Sequence, residues 1–216
     1  MTDQKTAPVE NIIHLHADRT ARPRQAIRLV EAYWSALCQD GRVPSRAQVS
    51  PQGLRDVLEY VFILERIAPG LARFRIAGSH LRQLTGMEVR GMPFSSFFRT
   101  QARSDVSTAL EACFSGPCKI EAKVQALSLQ SRAPDLSGSL ILLPMRCEMG
   151  HISRALGALS ITGPVLSDAY RLDIVEHSAV PVCCWDVQAD DRQRALAEAQ
   201  ARFFPAPRLE LVHSRD

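Results

Sequence analysis

The chain has 216 residues, with 26 lysines and arginines against 23 aspartates and glutamates, a net charge of +3 that is too small to argue for nucleic-acid binding. It contains no apolar run long enough for a secretory signal or a membrane-spanning helix, so a soluble, cytoplasmic protein without membrane attachment is expected. The six cysteines, Cys38, Cys113, Cys118, Cys147, Cys183 and Cys184, show no C-x-x-C spacing and read as reduced thiols rather than a metal site or a disulfide framework.

Residues 1–22 are polar and punctuated by proline and arginine, the composition of a mobile segment. From Arg24 to Cys38, Ile27, Val30, Trp34 and Leu37 recur three and four apart, which predicts a helix with one apolar stripe, widened by Ala26 and Tyr33. Ser50 followed by Pro51 predicts the start of a second short helix running to about Glu59. YVFILERI (Tyr60 to Ile67) and LARFRIA (Leu71 to Ala77) flank Ala68-Pro69-Gly70 and read as a hairpin. After it, HLRQL spaces apolar residues three apart, and TG and RGMP interrupt the chain twice before FSSFF. Short broken helical pieces are expected there.

Thr100 to Phe114 reads as the one long helix of the core, stopped by Gly116-Pro117. Three more strands are predicted over Cys118 to Gln130, Ser139 to Met149 and Ala155 to Thr162, with Pro144 implying an edge or a bulge in the middle one. From Gly163 onward, YRLDIVEH and PRLELVH alternate like strands, and ADDRQRALAEAQARFF has helical spacing ended by Pro205.

That order resembles the PAS fold. WSAL (34–37), GRVPSR (41–46), Pro51, FILE (62–65), RFRIAG (73–78) and TGMEVRG (85–91) further resemble a bacterial single-domain PAS subfamily once catalogued as a domain of unknown function, over Tyr33 to Thr162. The resemblance implies an α+β domain: a five-stranded antiparallel sheet with short helices and one longer helix on one face, plus N-terminal helices. It places a mobile segment at 1–22, the PAS-like domain at 23–162 and an extension packed on or beside it at 163–216. It also implies a non-catalytic sensory or regulatory module acting by protein contact, with an unidentified signalling protein as partner.

Phe74, Ile76, His80, Met92, Phe97, Phe98, Leu110 and Cys113 are the candidate lining of a cleft between sheet and helices, which could hold a small apolar ligand or be plain core. His80 is the one polar member, and a histidine just after a strand ordinarily faces solvent. Ile27, Val30, Tyr33, Trp34 and Leu37 form a candidate homodimer interface or, alternatively, a cap on their own sheet.

The flavin-photoreceptor pattern N-C-R-F has no counterpart, and the Thr100 to Phe114 helix has no histidine for haem, so no cofactor is expected. His14 and His16 are too few ligands for a metal site. Arg132 to Asp135 fits R-x-x-D, and Arg24 to Arg28 and Arg42 to Arg46 fit R-x-x-x-R, but DLSGSL has leucine where the cyclic-dinucleotide pattern has glycine. No G-x-S-x-G, H-E-x-x-H or phosphate-cradling loop is present. Glu176, His177 and Ser178 alternate along a strand and cannot form a relay. A self-filled interaction domain and a nucleic-acid or cyclic-dinucleotide regulator are the alternative functions.

Overall fold

A computed structural model describes residues 21–38, 42–129, 135–163 and 169–182. Helix α1 spans Ala21–Leu37, α2 Ser79–Thr85 and α3 Arg103–Phe114. The strands are β1 Val61–Ala68, β2 Leu71–Ala77, β3 Cys118–Ser128, β4 Leu136–Arg146, β5 Ile152–Thr162 and β6 Tyr170–Pro181. All pair antiparallel, in the order β2-β1-β5-β4-β3-β6.

The sixth strand departs from the expected five. The alternation of YRLDIVEH is that of a strand, and the segment pairs with β3 from Ser128 opposite Tyr170 to Cys118 opposite Pro181. The extension after Thr162 therefore contributes to the sheet. The predicted strand PRLELVH and the predicted helix before Pro205 lie outside the described residues, as do His14 and His16.

Residues opposite one another across an antiparallel pair share a face, and the register divides the sheet cleanly. Phe62, Leu64, Phe74, Ile120 and Leu142 lie on an inner face beneath α2 and α3. Ile63, Ile141, Leu143 and Leu156 lie on the outer face, where α1 packs on β4 and β5. At Gly157 a side chain would collide with the Phe62 ring, a Cβ falling 2.2 Å from Phe62 Cε2, so glycine lets that ring lie across β5.

The helix stripe is used within the chain. Ala26, Val30 and Trp34 are buried, and Trp34 Nε1 donates to the Pro144 carbonyl at 2.9 Å. Pro144 is in an interior strand, but the pairing of β3 with β4 stops at Leu142 and a register shift follows at Met145, so no partner strand needs its missing N–H on that side. Ile27, Tyr33 and Leu37 stay half-buried, and the Tyr33 hydroxyl accepts from Ser50 N–H at 2.8 Å. Ser50 caps the next turn as expected, its Oγ accepting from Gln52 N–H, but the result is one 3-10 turn, Pro51–Leu54, rather than a helix to Glu59.

Both outer edges of the sheet are occupied in part. Phe74 N–H donates to Met92 O and Gly91 N–H to Phe74 O along β2, while Arg99 N–H donates to Leu172 O along β6. The broken helical pieces after β2 are α2 and the 3-10 turns Phe94–Phe97 and Thr100–Ala102; Gly86 and Gly91, at φ 70° and 84°, make the two reversals.

Truncating Trp34 to alanine removes a buried ring and orphans the Pro144 carbonyl. The expected outcome is a loss of about 3–5 kcal/mol in chemical denaturation; an unchanged midpoint would show that the ring is not a cap.

Candidate functional site

The candidate cleft is filled by phenylalanine. Phe62 from β1, Phe74 from β2 and Phe94, Phe97 and Phe98 from the turn before α3 are all buried. Their ring centroids lie 5.4 Å apart for Phe62 and Phe74, 5.7 Å for Phe62 and Phe94, 4.7 Å for Phe74 and Phe97, and 5.1 Å for Phe94 and Phe98. These are edge-on, tilted and offset contacts of the kind aromatic quadrupoles favour. Leu110, Cys113 and Phe114 of α3 are buried in the same core.

Of the eight predicted lining residues, Phe74, Phe97, Phe98, Leu110 and Cys113 meet in this core, and Met92 is half-buried beside β2. Ile76 does not join them. Ile63 pairs with Ile76 but Leu64 pairs with Phe74, so Arg75 is an extra residue in the ladder. The bulge turns Ile76 to the outer face, where it is 49% exposed. Simple alternation from Phe74 missed this because a bulge leaves no mark in the spacing of apolar residues.

His80 is also a correction. It is 7% exposed rather than solvent-facing, and its ring lies 5.0 Å from that of Tyr60. The pairing of β1 with β5 ends at Val61 opposite Ala158; beyond it Leu159 N–H donates to Tyr60 O, and Ile161 N–H donates to His80 Nε2 at 3.3 Å. The imidazole continues the hydrogen-bonding row where the strand has run out. Burial pushes its pKa down against the opposing pull of Glu59, and the accepting Nε2 requires a neutral ring.

The other polar groups are committed to structure. Thr85 Oγ1 donates to Leu81 O. Glu111 ties the β1–β2 turn to α3: Ser115 Oγ, Gly70 N–H and Arg66 all donate to it and hold its carboxyl below the usual range. The Cys113 thiol is fully buried, and desolvation with Cys118 nearby pushes its pKa up, so it packs as an apolar group. Tyr170 Oη is the one buried side-chain polar atom without a hydrogen-bond partner among the described residues. On β6, Glu176 and Ser178 share the face of Lys123 and Glu121, and His177 takes the opposite one, so no relay forms. Arg132 lies outside the described residues. Phe62 and Tyr60 escaped the sequence reading, although the aromatic residues of the first strand were the available signal.

A flavin or haem, which PAS-type sensors can carry, is a flat group needing a slot between sheet and helices. The five rings in mutual contact occupy that space, and the buried polar groups His80 and Thr85 are already bonded, so the residues present do not fit either cofactor.

A profile of the PAS domain family matches residues 22–160. The chain belongs to the PAS domain family. Its fold is that of sensory and regulatory modules. No curated protein matches its sequence. Among solved structures, an RNA-binding light-oxygen-voltage receptor is 14% identical at a TM-score of 0.37, covering 76% of this chain and 42% of that one. This PAS chain thus spans less than half the length of that receptor. The light-state LOV domain of the blue-light photoreceptor Aureochrome1 is 15% identical at 0.36, with 52% and 88% covered. The periplasmic sensory domain of the Campylobacter jejuni chemoreceptor Tlp1 is 8% identical at 0.32, with 66% and 55% covered. The fold assignment rests on the family match.

Two outcomes follow from this geometry. The folded pKa of His80 is depressed, so its contribution is fully present above the unfolded value of about 6.5 and is lost as pH falls through the folded value. Urea midpoints should therefore decline below about pH 6.5 in wild type, and His80→Gln, which keeps an acceptor but cannot titrate, should flatten that part of the profile. An equal slope in both proteins would assign the decline to other groups. Tyr170→Phe deletes an unpaired buried hydroxyl, so stability should be unchanged or higher by up to about 1 kcal/mol; a loss of that size would reveal a partner for the hydroxyl.

Proposed function

We propose that this protein is a non-catalytic PAS-type regulatory module that acts in the cytoplasm by contact with a signalling protein, with a cleft filled by its own side chains. The observation that carries the reading is the phenylalanine cluster, which puts five rings where a ligand-gated sensor needs space. The half-buried Ile27, Tyr33 and Leu37 and the exposed Leu29 make the rim of α1 the surface for self-association, with Val30 and Trp34 serving the chain's own sheet.

Native mass spectrometry of protein purified from its own host tests the reading directly. The expected spectrum contains polypeptide alone, as a dimer at high micromolar concentration, and a thermal screen with apolar metabolites should give no shift. A stoichiometric bound small molecule would overturn the self-filled cleft and return the module to ligand gating. A monomer at that concentration would dispose of self-association without touching the rest.

A further inference from the structure

We propose that the outer face of β1 and β2 around Glu65 is a docking surface for an acidic, apolar-containing segment of a partner protein; the proposal rests on the contact-module reading above. Glu65 stands opposite Arg73 on β2 and opposite Arg154 on β5, and Arg75, two residues beyond Arg73, reaches the same carboxylate. The three guanidinium groups approach it at 2.8, 2.7 and 2.7 Å. One carboxylate shared by three arginines leaves a surplus of two positive charges among these four side chains. The Glu65 side chain is 12% exposed, whereas those of Arg73 and Arg75 are 41% and 51% exposed. Burial would raise the Glu65 pKa, but the hydrogen bond from Arg73 and the charges of Arg154 and Arg75 hold it low.

Each guanidinium carries five N–H donors in a planar fork that matches a carboxylate two at a time. Contacts to one glutamate leave further N–H donors on Arg73 and Arg75, whose side chains are partly exposed. Two exposed isoleucines lie in the same two strands: Ile76, 49% exposed, sits beside Ile63 on β2, and Ile67, 51% exposed, is the unpaired residue of a second register shift in β1, between Arg66 and Ala68. Helix α1 packs on β4 and β5 and leaves this part of the face open. Arginine is among the side chains enriched at protein interfaces relative to the rest of the surface.

Charge complementarity selects the occupant. Carboxylates satisfy the unspent donors, and apolar side chains cover the isoleucines. A nucleic-acid backbone would bring phosphates against the central Glu65 and has nothing to place on Ile67 and Ile76. Strand addition at the edge of β2 is obstructed, because Gly91 and Met92 already bond to Phe74 there, so the partner lies on the face.

A photo-cross-linking residue placed at Ile76 or Ile67, with Leu129 and Met149 as exposed controls elsewhere, tests this in the native host. Cross-links from Ile76 and Ile67 to a segment of net negative charge are expected. In solution, a labelled peptide alternating glutamate and leucine should bind wild type and bind R73A/R75A at least about tenfold more weakly, with the melting curve showing a folded variant. Should that variant fail to fold, Arg75→Gln, which keeps Arg73 and Arg154 on Glu65, carries the same comparison. Cross-links only from Leu129 or Met149 would overturn the docking surface and leave the contact reading standing, whereas none from any position would overturn both. Peptide binding that is absent or indifferent to the arginines, or weaker than binding to duplex DNA, also overturns the proposal.

Discussion

Packing among Phe62, Phe74, Phe94, Phe97 and Phe98 is the interaction on which the rest of this structure depends. The connection between β2 and α3 has little regular structure, with one short helix and two 3-10 turns, so backbone hydrogen bonding alone cannot hold it on the sheet. Ring contacts do so instead, each contributing about 0.5–1.5 kcal/mol beyond the burial of area. Once Phe98 is seated, Arg99 reaches Leu172 and fastens the same connection to β6. The cluster thus fills the interior and also tethers this connection to the sixth strand, which β3 holds along its length, and the space that other members of the fold could give to a ligand is occupied.

The two faces of the sheet bury different amounts of surface. The inner face is closed by α2, the phenylalanine turn and α3, with His80 and Thr85 bonded and Tyr170 Oη left without a partner among the described residues. On the outer face, Val30 and Trp34 of α1 meet β4 and β5. Beyond the helix, β1 and β2 present ionic residues around Glu65, and the irregularity at Arg75 organises this region. One extra residue carries Ile76 out of the core and sets it on the face that Arg73 and Arg75 share with Glu65.

His80 shows how a polar group is kept in such an interior. A backbone N–H at the end of β5 would be left without a strand partner, and an unpaired buried donor costs about 1–3 kcal/mol. The neutral imidazole supplies the acceptor, joining the first turn of α2 to the sheet. The arrangement depends on the ring staying uncharged, which burial enforces.

Periodicity and turn chemistry by themselves determined most of the framework of this protein. The α1 stripe, the β1–β2 hairpin about Pro69-Gly70, the breaks at Gly86 and Gly91, the helix ending before Gly116 and three later strands are local signals, set by side-chain spacing and by residues that reverse the chain. Phe74, Phe97, Phe98, Leu110 and Cys113 were legible as one apolar group for the same reason. Tertiary structure decided the rest. Whether five rings leave a slot or close it depends on their relative positions in three dimensions, and so does the pairing of Ser128 with Tyr170 that enrols β6. Ile76 moved to the other face because register is a property of two strands, and His80 moved inward because its partner, Ile161 N–H, is eighty-one residues away in the chain. The arginines at 73, 75 and 154 look like scattered charges in sequence; only the antiparallel order of β2, β1 and β5 gathers them on one carboxylate.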